Sequence, residues 1–208
     1  GLAGRKCNLV VHGRKPENTA ATLELLKPSG VQVHSVSGDL SVREGIEAVI
    51  DGVRSGPGHV DILYNNAGVM STWKPIWEVT AEEWLDIFRV NLLAMAALCN
   101  AFGPGMKRRG YGRIINLSSG IKDTPSLAPY GVSKAAVDKY TMDLAFELKD
   151  SNVLVNRLDP GWLKTDMGGP DAMYPVEDVL PGALVPALLD DNGPSGQLFE
   201  AQDYRMLA

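Results

Sequence analysis

The feature of this sequence that most constrains its fold is a regular alternation between short β-branched runs and longer stretches with helical periodicity. The pattern predicts strands over residues 8–12, 31–36, 60–64, 113–117, 153–158 and 196–200. It predicts helices over residues 16–26, 41–53, 80–102, 129–149 and, broken by proline, 176–189. Such alternation is typical of a parallel sheet covered by helices on both faces. We therefore expect an α/β fold, a doubly wound parallel sheet in one three-layer αβα domain over residues 1–208.

Composition excludes several classes of function. The chain has 208 residues and a formal net charge of −5, which disfavours binding to a nucleic-acid backbone. No uncharged stretch is long enough to span a bilayer and no signal peptide opens the sequence, so we expect no membrane association. Cys7 and Cys99 form neither a disulfide framework nor a CxxC pair, so we expect no metal site and a reducing, cytoplasmic location.

Small and polar residues follow five of the predicted strands, at the point where each strand ends. These segments are His12 to Arg14, Gly38 with Asp39, Asn65 to Gly68, Ser118 to Gly120, and Asp159 to Gly161. Parallel α/β sheets bind ligands in the crevice beyond the carboxyl ends of their strands. The sequence therefore predicts a dinucleotide-binding crevice at these positions.

A phenol and an amine, Tyr130 and Lys134, stand four residues apart at the start of one predicted helix. This spacing places them on one helix face, about one turn apart, where a positive charge would lower the pKa of the tyrosine. The spacing is common on solvated helix faces, so the context matters. Ser118 and Ser119 end the preceding strand, where they can equally be turn formers. Asn91 lies among apolar residues of a long helix, either as a satisfied buried amide or at a kink.

Taken in order, these motifs resemble those of the short-chain dehydrogenase/reductase family. The motifs are Asn65 to Gly68, Asn91, residues 115–119, Tyr130 with Lys134, and Pro160 with Gly161. The resemblance runs from about residue 7 to the end of the sequence. It implies a Rossmann-like fold and an oxidoreductase that moves a hydride between a nicotinamide and a ketone, an aldehyde or a secondary alcohol.

The resemblance implies a role for each member of the catalytic set. Tyr130 is expected to be the general acid or base, and Lys134 to lower its pKa and bind the nicotinamide ribose. Ser119 is expected to polarise the substrate oxygen, with Ser118 as the alternative. Asn91 is expected to complete the set through a water held by the freed carbonyl of a kinked helix.

The resemblance also implies cofactor contacts at the strand ends. They are Gly13, Arg14, Lys15, Asp39, Leu40, Asn66, Ala67, Gly68, Tyr130, Lys134, Pro160, Gly161 and Thr165. NAD enzymes usually carry an acidic residue where Gly13 stands, whereas Arg14 and Lys15 follow here. We expect NADP(H), because a guanidinium can pair with a 2′-phosphate. NAD(H) remains the alternative if Arg14 and Lys15 are only exposed turn charges.

The sequence departs from the family at its first βα unit, which carries the glycine-rich turn that binds pyrophosphate. Judged by the usual size of a βαβ unit, about 25 residues are absent between Lys6 and Cys7. The first strand and the glycine-rich turn are therefore missing. We expect the working protein to contain such a segment, and the alternative is a cofactor-free remnant.

Substrate and assembly are expected only in outline. Trp162 and Met167 can line an open pocket together with Ser119 and Tyr130, or they can be ordinary loop anchors. A homodimer or homotetramer is expected through the helices of Asn91 and Tyr130, whose apolar residues surround much of their circumference. Val137 and Met142 are examples. The alternatives to a carbonyl reductase are an NAD-dependent alcohol or dihydrodiol dehydrogenase, and a non-catalytic binding or scaffold protein.

Overall fold

The computed structural model describes residues 1–123, 125 and 127–207, which form two compact units, Gly1–Val60 and Asp61–Ala208. Both units have the expected architecture of parallel strands joined by helices. The Rossmann-like α/β fold predicted from the alternating pattern is therefore confirmed. The single domain predicted over residues 1–208 stays a prediction.

The first unit contains two parallel strands and two α-helices. The strands are β1 (Leu9–Gly13) and β2 (Val33–Ser37), and the helices are α1 (Ala20–Leu26) and α2 (Arg43–Ser55). β1 pairs with β2 from Leu9↔Val33 to Gly13↔Ser37. Within the described residues, no strand precedes β1, which follows a 3₁₀ turn at Ala3–Arg5. The first strand of the family pattern is thus missing from the described chain, as the sequence predicts.

The second unit contains a four-stranded parallel sheet in the order β3-β4-β5-β6. The strands are β3 (Ile62–Asn65), β4 (Gly112–Leu117), β5 (Val153–Asp159) and β6 (Leu198–Glu200). The helices are α3 (Ala81–Phe88), α4 (Met95–Arg109) and α5 (Ala128–Glu147). β4 and β5 are buried along most of their length, because helices cover such a sheet. These central strands hold the segments that carry the candidate site.

Helix α4 continues beyond its predicted end at residue 102, so that boundary is wrong. Pro104 lies inside the helix, which ends at Arg109 and is capped by Gly110 with a φ of 67°. Met106 is fully buried, and a Cβ on Gly112 of β4 would lie 2.7 Å from its Sδ atom. Pro104 removes one backbone hydrogen bond from the helix. The close packing of Met106 on β4 stabilises the helical conformation by more than this loss destabilises it.

The α-helix predicted over residues 176–189 is also wrong. The chain forms two short 3₁₀ stretches, Val176–Val179 and Gly182–Ala187, instead. Pro181 and Pro186 lack the N–H groups that an α-helix needs, and their rings clash with the preceding turn. The segment therefore remains a series of tight turns.

Within the part of the chain that the structure describes, one helical stretch, Ala81–Arg109, is long and apolar enough by length and composition to cross a membrane. Core helices of globular proteins pass the same test, and α3 begins with a Thr80–Glu83 capping box followed by acidic residues. The buried amide of Asn91 in this stretch bonds to Val69 and Ser133. We interpret the stretch as a layer helix of the α/β fold.

Candidate active site

Asn91 lies where the helical stretch changes its winding. Residues Arg89–Ala94 form a π-turn between α3 and α4. The side chain is buried; its Oδ1 accepts from Val69 N at 2.8 Å, and its Nδ2 donates to Val69 O at 3.0 Å and to Ser133 Oγ at 3.0 Å. A π-turn is a recognised cause of a helix kink. The side chain of Asn91 thus links the segment after β3 to the start of α5 by hydrogen bonds. The water molecule expected on the backbone carbonyl freed by the kink stays a prediction.

Tyr130 and Lys134 lie together at the start of α5. Both are buried, and Lys134 Nζ lies 5.7 Å from the centre of the Tyr130 ring. The ammonium donates a hydrogen bond of 2.8 Å to the carbonyl oxygen of Leu117, at the end of β4. The spacing of four residues therefore places the phenol and the amine on one side of the helix, against the carboxyl end of the sheet.

The electrostatics of this pair differ from the sequence argument. Burial lowers the pKa of Lys134 to about 8, against the opposing effect of the Asp138 and Asp159 carboxylates. Burial raises the pKa of Tyr130, a hydrogen bond from Ser119 lowers it, and the charge of Asp159 raises it further. The sequence led us to expect a lowered tyrosine pKa, whereas in this structure burial and the charge of Asp159 both raise it and only Ser119 opposes them.

The two serines at the end of β4 have different partners. Ser119 lies close enough to the Tyr130 hydroxyl to lower the pKa of that phenol, and its Oγ accepts from Ile121 N at 3.4 Å. Ser118 is buried and donates to Asp138 Oδ1 at 2.6 Å. The geometry therefore favours Ser119 over Ser118 as the serine beside the phenol.

The segment after β3 borders the same group of side chains. A Cβ on Gly68 would lie 3.4 Å from Asn91 Oδ1 and 3.9 Å from Lys134 Nζ. Asn66 and Ala67 precede it in the loop, whereas Asn65 is turned into the core and donates to Asn116 Oδ1 at 2.8 Å. Gly68 is thus the member of this segment that leaves open space beside Lys134.

The residues after β5 form a compact turn. Gly161 has a φ of 79°, and its N–H donates to Asp159 Oδ1 at 2.9 Å. Trp162 Nε1 donates to Gly168 O at 2.8 Å, and Gly168 N donates to Thr165 Oγ1 at 3.1 Å. Pro160 O accepts from the Gln202 amide, and Met167 is exposed. The proposed contacts of Pro160, Gly161 and Thr165 with a nicotinamide stay predictions.

The cofactor candidates of the first unit follow β1 and β2. Gly13 is buried, and a Cβ there would lie 2.9 Å from Thr19 Cγ2, so the turn needs a glycine. Arg14 and Lys15 are exposed in the turn that follows. Asp39 accepts from Ser41 Oγ at 2.7 Å and from Ser41 N at 2.9 Å; these bonds, and the nearby charge of Arg14, lower its pKa. Leu40 is buried in the core, so its side chain belongs to the fold.

Sequence reasoning assigned no role to two carboxylates near the amine, although it placed Asp159 at a strand end of the predicted crevice. Asp138 follows Lys134 by four residues on α5, and Asp159 ends β5 directly before Pro160. The repeated spacing from Tyr130 to Lys134 to Asp138 was a signal for the first. Among the described residues, no cluster of three or more His, Cys, Asp or Glu side chains could hold a metal ion.

Comparison with known proteins identifies the family. The model of the short chain dehydrogenase family matches residues 1–172. A bovine protein named dehydrogenase/reductase SDR family member 4 is 37% identical over 79% of this chain and 60% of its own length. The chain thus spans about three fifths of the curated relatives that it matches.

Solved structures show the same fold. Acetoin dehydrogenase from Enterobacter cloacae is 28% identical, with a TM-score of 0.82 over 96% of this chain and 86% of that one. A gluconate 5-dehydrogenase from Burkholderia cenocepacia, crystallised with NADP and tartrate, is 23% identical, with a TM-score of 0.81 over 99% and 90% of the two chains. Together with the ordered motifs, the family match shows that this chain belongs to the short-chain dehydrogenase/reductase family.

Proposed function

We propose that the protein is an NADP(H)-dependent oxidoreductase that interconverts a ketone or aldehyde and its alcohol, with Tyr130 as the general acid or base. The observation that carries this proposal is the group formed by the buried Tyr130 and Lys134 with the half-buried Ser119 at the carboxyl end of the sheet. A phenol that lies beside a serine hydroxyl, with its ring centre 5.7 Å from an ammonium, is arranged for proton transfer. A solvated helix face would bury neither side chain.

The electrostatics suit Tyr130 to the reductive direction. Burial raises the pKa of Tyr130, so the phenol keeps its proton at neutral pH and can give it to a substrate oxygen. Ser119, which lies beside Tyr130, would donate a hydrogen bond to the same oxygen. The phenolate that remains is stabilised by the nearby ammonium of Lys134. In the opposite direction the phenolate must form first, so alcohol oxidation requires a higher pH.

The residues of the second unit fit the nicotinamide end of a cofactor, which would supply or accept the hydride. Lys134 presents an ammonium and Tyr130 a hydroxyl, and the missing side chain of Gly68 leaves room beside them. The described residues do not offer a comparable set of contacts for the pyrophosphate of the cofactor. Within the described residues no glycine-rich turn precedes β1, so this chain offers no such cradle there, and we assign no residue to the pyrophosphate.

Substituting Tyr130 tests the reaction. In an NADPH-consumption screen over diverse ketones, Tyr130→Phe should lower kcat by about 10²- to 10⁴-fold, because the proton donor is lost. Tyr140→Phe removes a hydroxyl from the same helix and is the matched control. Turnover that survives Tyr130→Phe at the level of this control would refute the proposed role. A wild-type protein without turnover on any ketone would instead favour the non-catalytic binding or scaffold alternative.

The preference for NADP(H) rests on Arg14 and Lys15. Both are exposed directly after β1, and no carboxylate stands at Gly13 to repel a 2′-phosphate. A structural neighbour, the gluconate 5-dehydrogenase, holds NADP. Arg14→Glu should raise the KM for NADPH while leaving that for NADH nearly unchanged. A wild-type KM lower for NAD(H) than for NADP(H) would favour the alternative, an NAD-dependent alcohol or dihydrodiol dehydrogenase.

The substrate and the assembly follow from exposed apolar residues of the second unit. Trp162 and Met167 are exposed in the turn after β5, which supports a bulky apolar carbonyl substrate. We propose a homodimer or homotetramer through the outer face of α5, where Met142 is half exposed and Phe146 is 71% exposed. Val137 is buried inside the unit, so the sequence argument was wrong to count it toward a subunit contact.

The proposed location is the cytoplasm. Cys7 and Cys99 are both free thiols, which fits a reducing compartment.

A further inference from the structure

A buried carboxylate stands behind the candidate active site. Asp138 lies on α5 one turn beyond Lys134 and is only 7% exposed. Its Oδ1 accepts a hydrogen bond of 2.6 Å from Ser118 Oγ. Its Oδ2 accepts from Arg157 Nη1 of β5 at 3.2 Å. Asp138 thereby links α5, the end of β4 and β5 at one point.

The arginine is itself held in place. Arg157 Nη2 donates to Gly196 O at 3.1 Å, beside the entry to β6. Its side chain is 17% exposed and that of Asp138 is 10% exposed. A pair this far from water is weakly screened, so each charge acts on its neighbours more strongly than a surface charge does.

Among the described residues, two carboxylates act on the ammonium of Lys134: Asp138 on the same helix and Asp159 at the end of β5. Leu117 of β4 contributes its carbonyl oxygen, and Arg157 of β5 is paired with Asp138. Burial lowers the pKa of Lys134 to about 8, and the two carboxylates act against this effect. The protonation of Lys134 near neutral pH therefore depends on its carboxylate neighbours.

We propose that Asp138 is a positioning residue of the candidate active site, because it fixes the Ser118 hydroxyl and places a negative charge one turn from Lys134. Arg157 orients this carboxylate and partly offsets its charge. With Ser118 held by Asp138, Ser119 is the serine that reaches Tyr130. The inference rests on the proposed function of Lys134, and the sequence motifs and the family match assign no role to Asp138.

Two variants that break the same ion pair test the proposal through opposite electrostatic effects. Asp138→Asn removes the negative charge and leaves that of Arg157, so the titration midpoint of Lys134 should fall by about one pH unit. Arg157→Gln leaves the negative charge unopposed, so the midpoint should rise. The midpoint is measured by NMR of protein labelled with ¹³Cε-lysine, with the Lys134 signal assigned by its loss in Lys134→Met.

A structural role alone predicts no such pattern, because both variants remove the same contact. Shifts in one direction, or no shift in either variant, would overturn the proposal. The control is Asp143→Asn, which removes an exposed carboxylate paired with Lys139 on the same helix and should leave the midpoint unchanged. If Asp138→Asn fails to fold, the rise in Arg157→Gln and an intermediate midpoint in the double variant remain as tests.

The pH dependence of kcat provides a second, independent measurement of the same titration. The alkaline limb of kcat for carbonyl reduction should move to lower pH in Asp138→Asn and to higher pH in Arg157→Gln. Opposite NMR shifts in a protein without turnover would refute the proposed function and leave the electrostatic role of Asp138 standing. Turnover with unmoved NMR midpoints would refute the role of Asp138 alone.

Discussion

Asn91→Ala offers a sharp test of how the candidate site is held together. The substitution removes three side-chain hydrogen bonds, two to the backbone of Val69 and one to Ser133 Oγ, at 2.8 to 3.0 Å. At about 0.5–1.5 kcal/mol for each bond, we expect a loss of about 2–4 kcal/mol in the free energy of unfolding. For a chain of this size, that loss lowers the Tm by about 5–15 °C.

Tryptophan fluorescence is a suitable probe for this measurement. All four tryptophans lie in the second unit, at Trp73, Trp77, Trp84 and Trp162. Urea unfolding followed by this signal therefore reports on the unit that contains Asn91. The control is Asn100→Ala, which truncates an exposed amide on α4. A difference between the two variants below about 0.5 kcal/mol would refute the view that Asn91 fastens the segment after β3.

Two further predictions concern stability. Gly112→Ala should lower the free energy of unfolding by about 1–3 kcal/mol, because the new Cβ would lie 2.7 Å from side-chain atoms of the buried Met106. Gly105→Ala, whose only close neighbours are the ends of arginine side chains, is the matched control, and equal stability of the two variants would contradict the packing argument. The pKa of Lys134 falls from 10.5 to about 8 on folding, so between these pH values the unfolded chain keeps a proton that the folded protein has lost. Wild-type stability should therefore rise relative to Lys134→Met by about 3 kcal/mol across this window in urea titrations, whereas a constant difference would refute the lowered pKa.

The six strands of the described residues lie where the sequence pattern predicts them, with ends that differ by at most two residues. Their apolar runs are short and β-branched, and such runs need little tertiary information to be recognised. The end of α4 was not predictable in this way. Pro104 stays inside α4 because Met106 packs on β4. The local preference of proline to end a helix takes no account of that tertiary contact.

The properties of the candidate site likewise fall into those that follow from the sequence and those that depend on the tertiary structure. The sequence by itself determined the α/β class, the order of the motifs, and the placing of Tyr130 and Lys134 on one helix face, because these depend on spacing along the chain. The tertiary structure decided which serine meets the phenol, the direction of the Tyr130 pKa shift and the link from Asp138 to Arg157. Burial and hydrogen bonds between distant segments set those properties, and a linear pattern holds no information on how far a side chain lies from water.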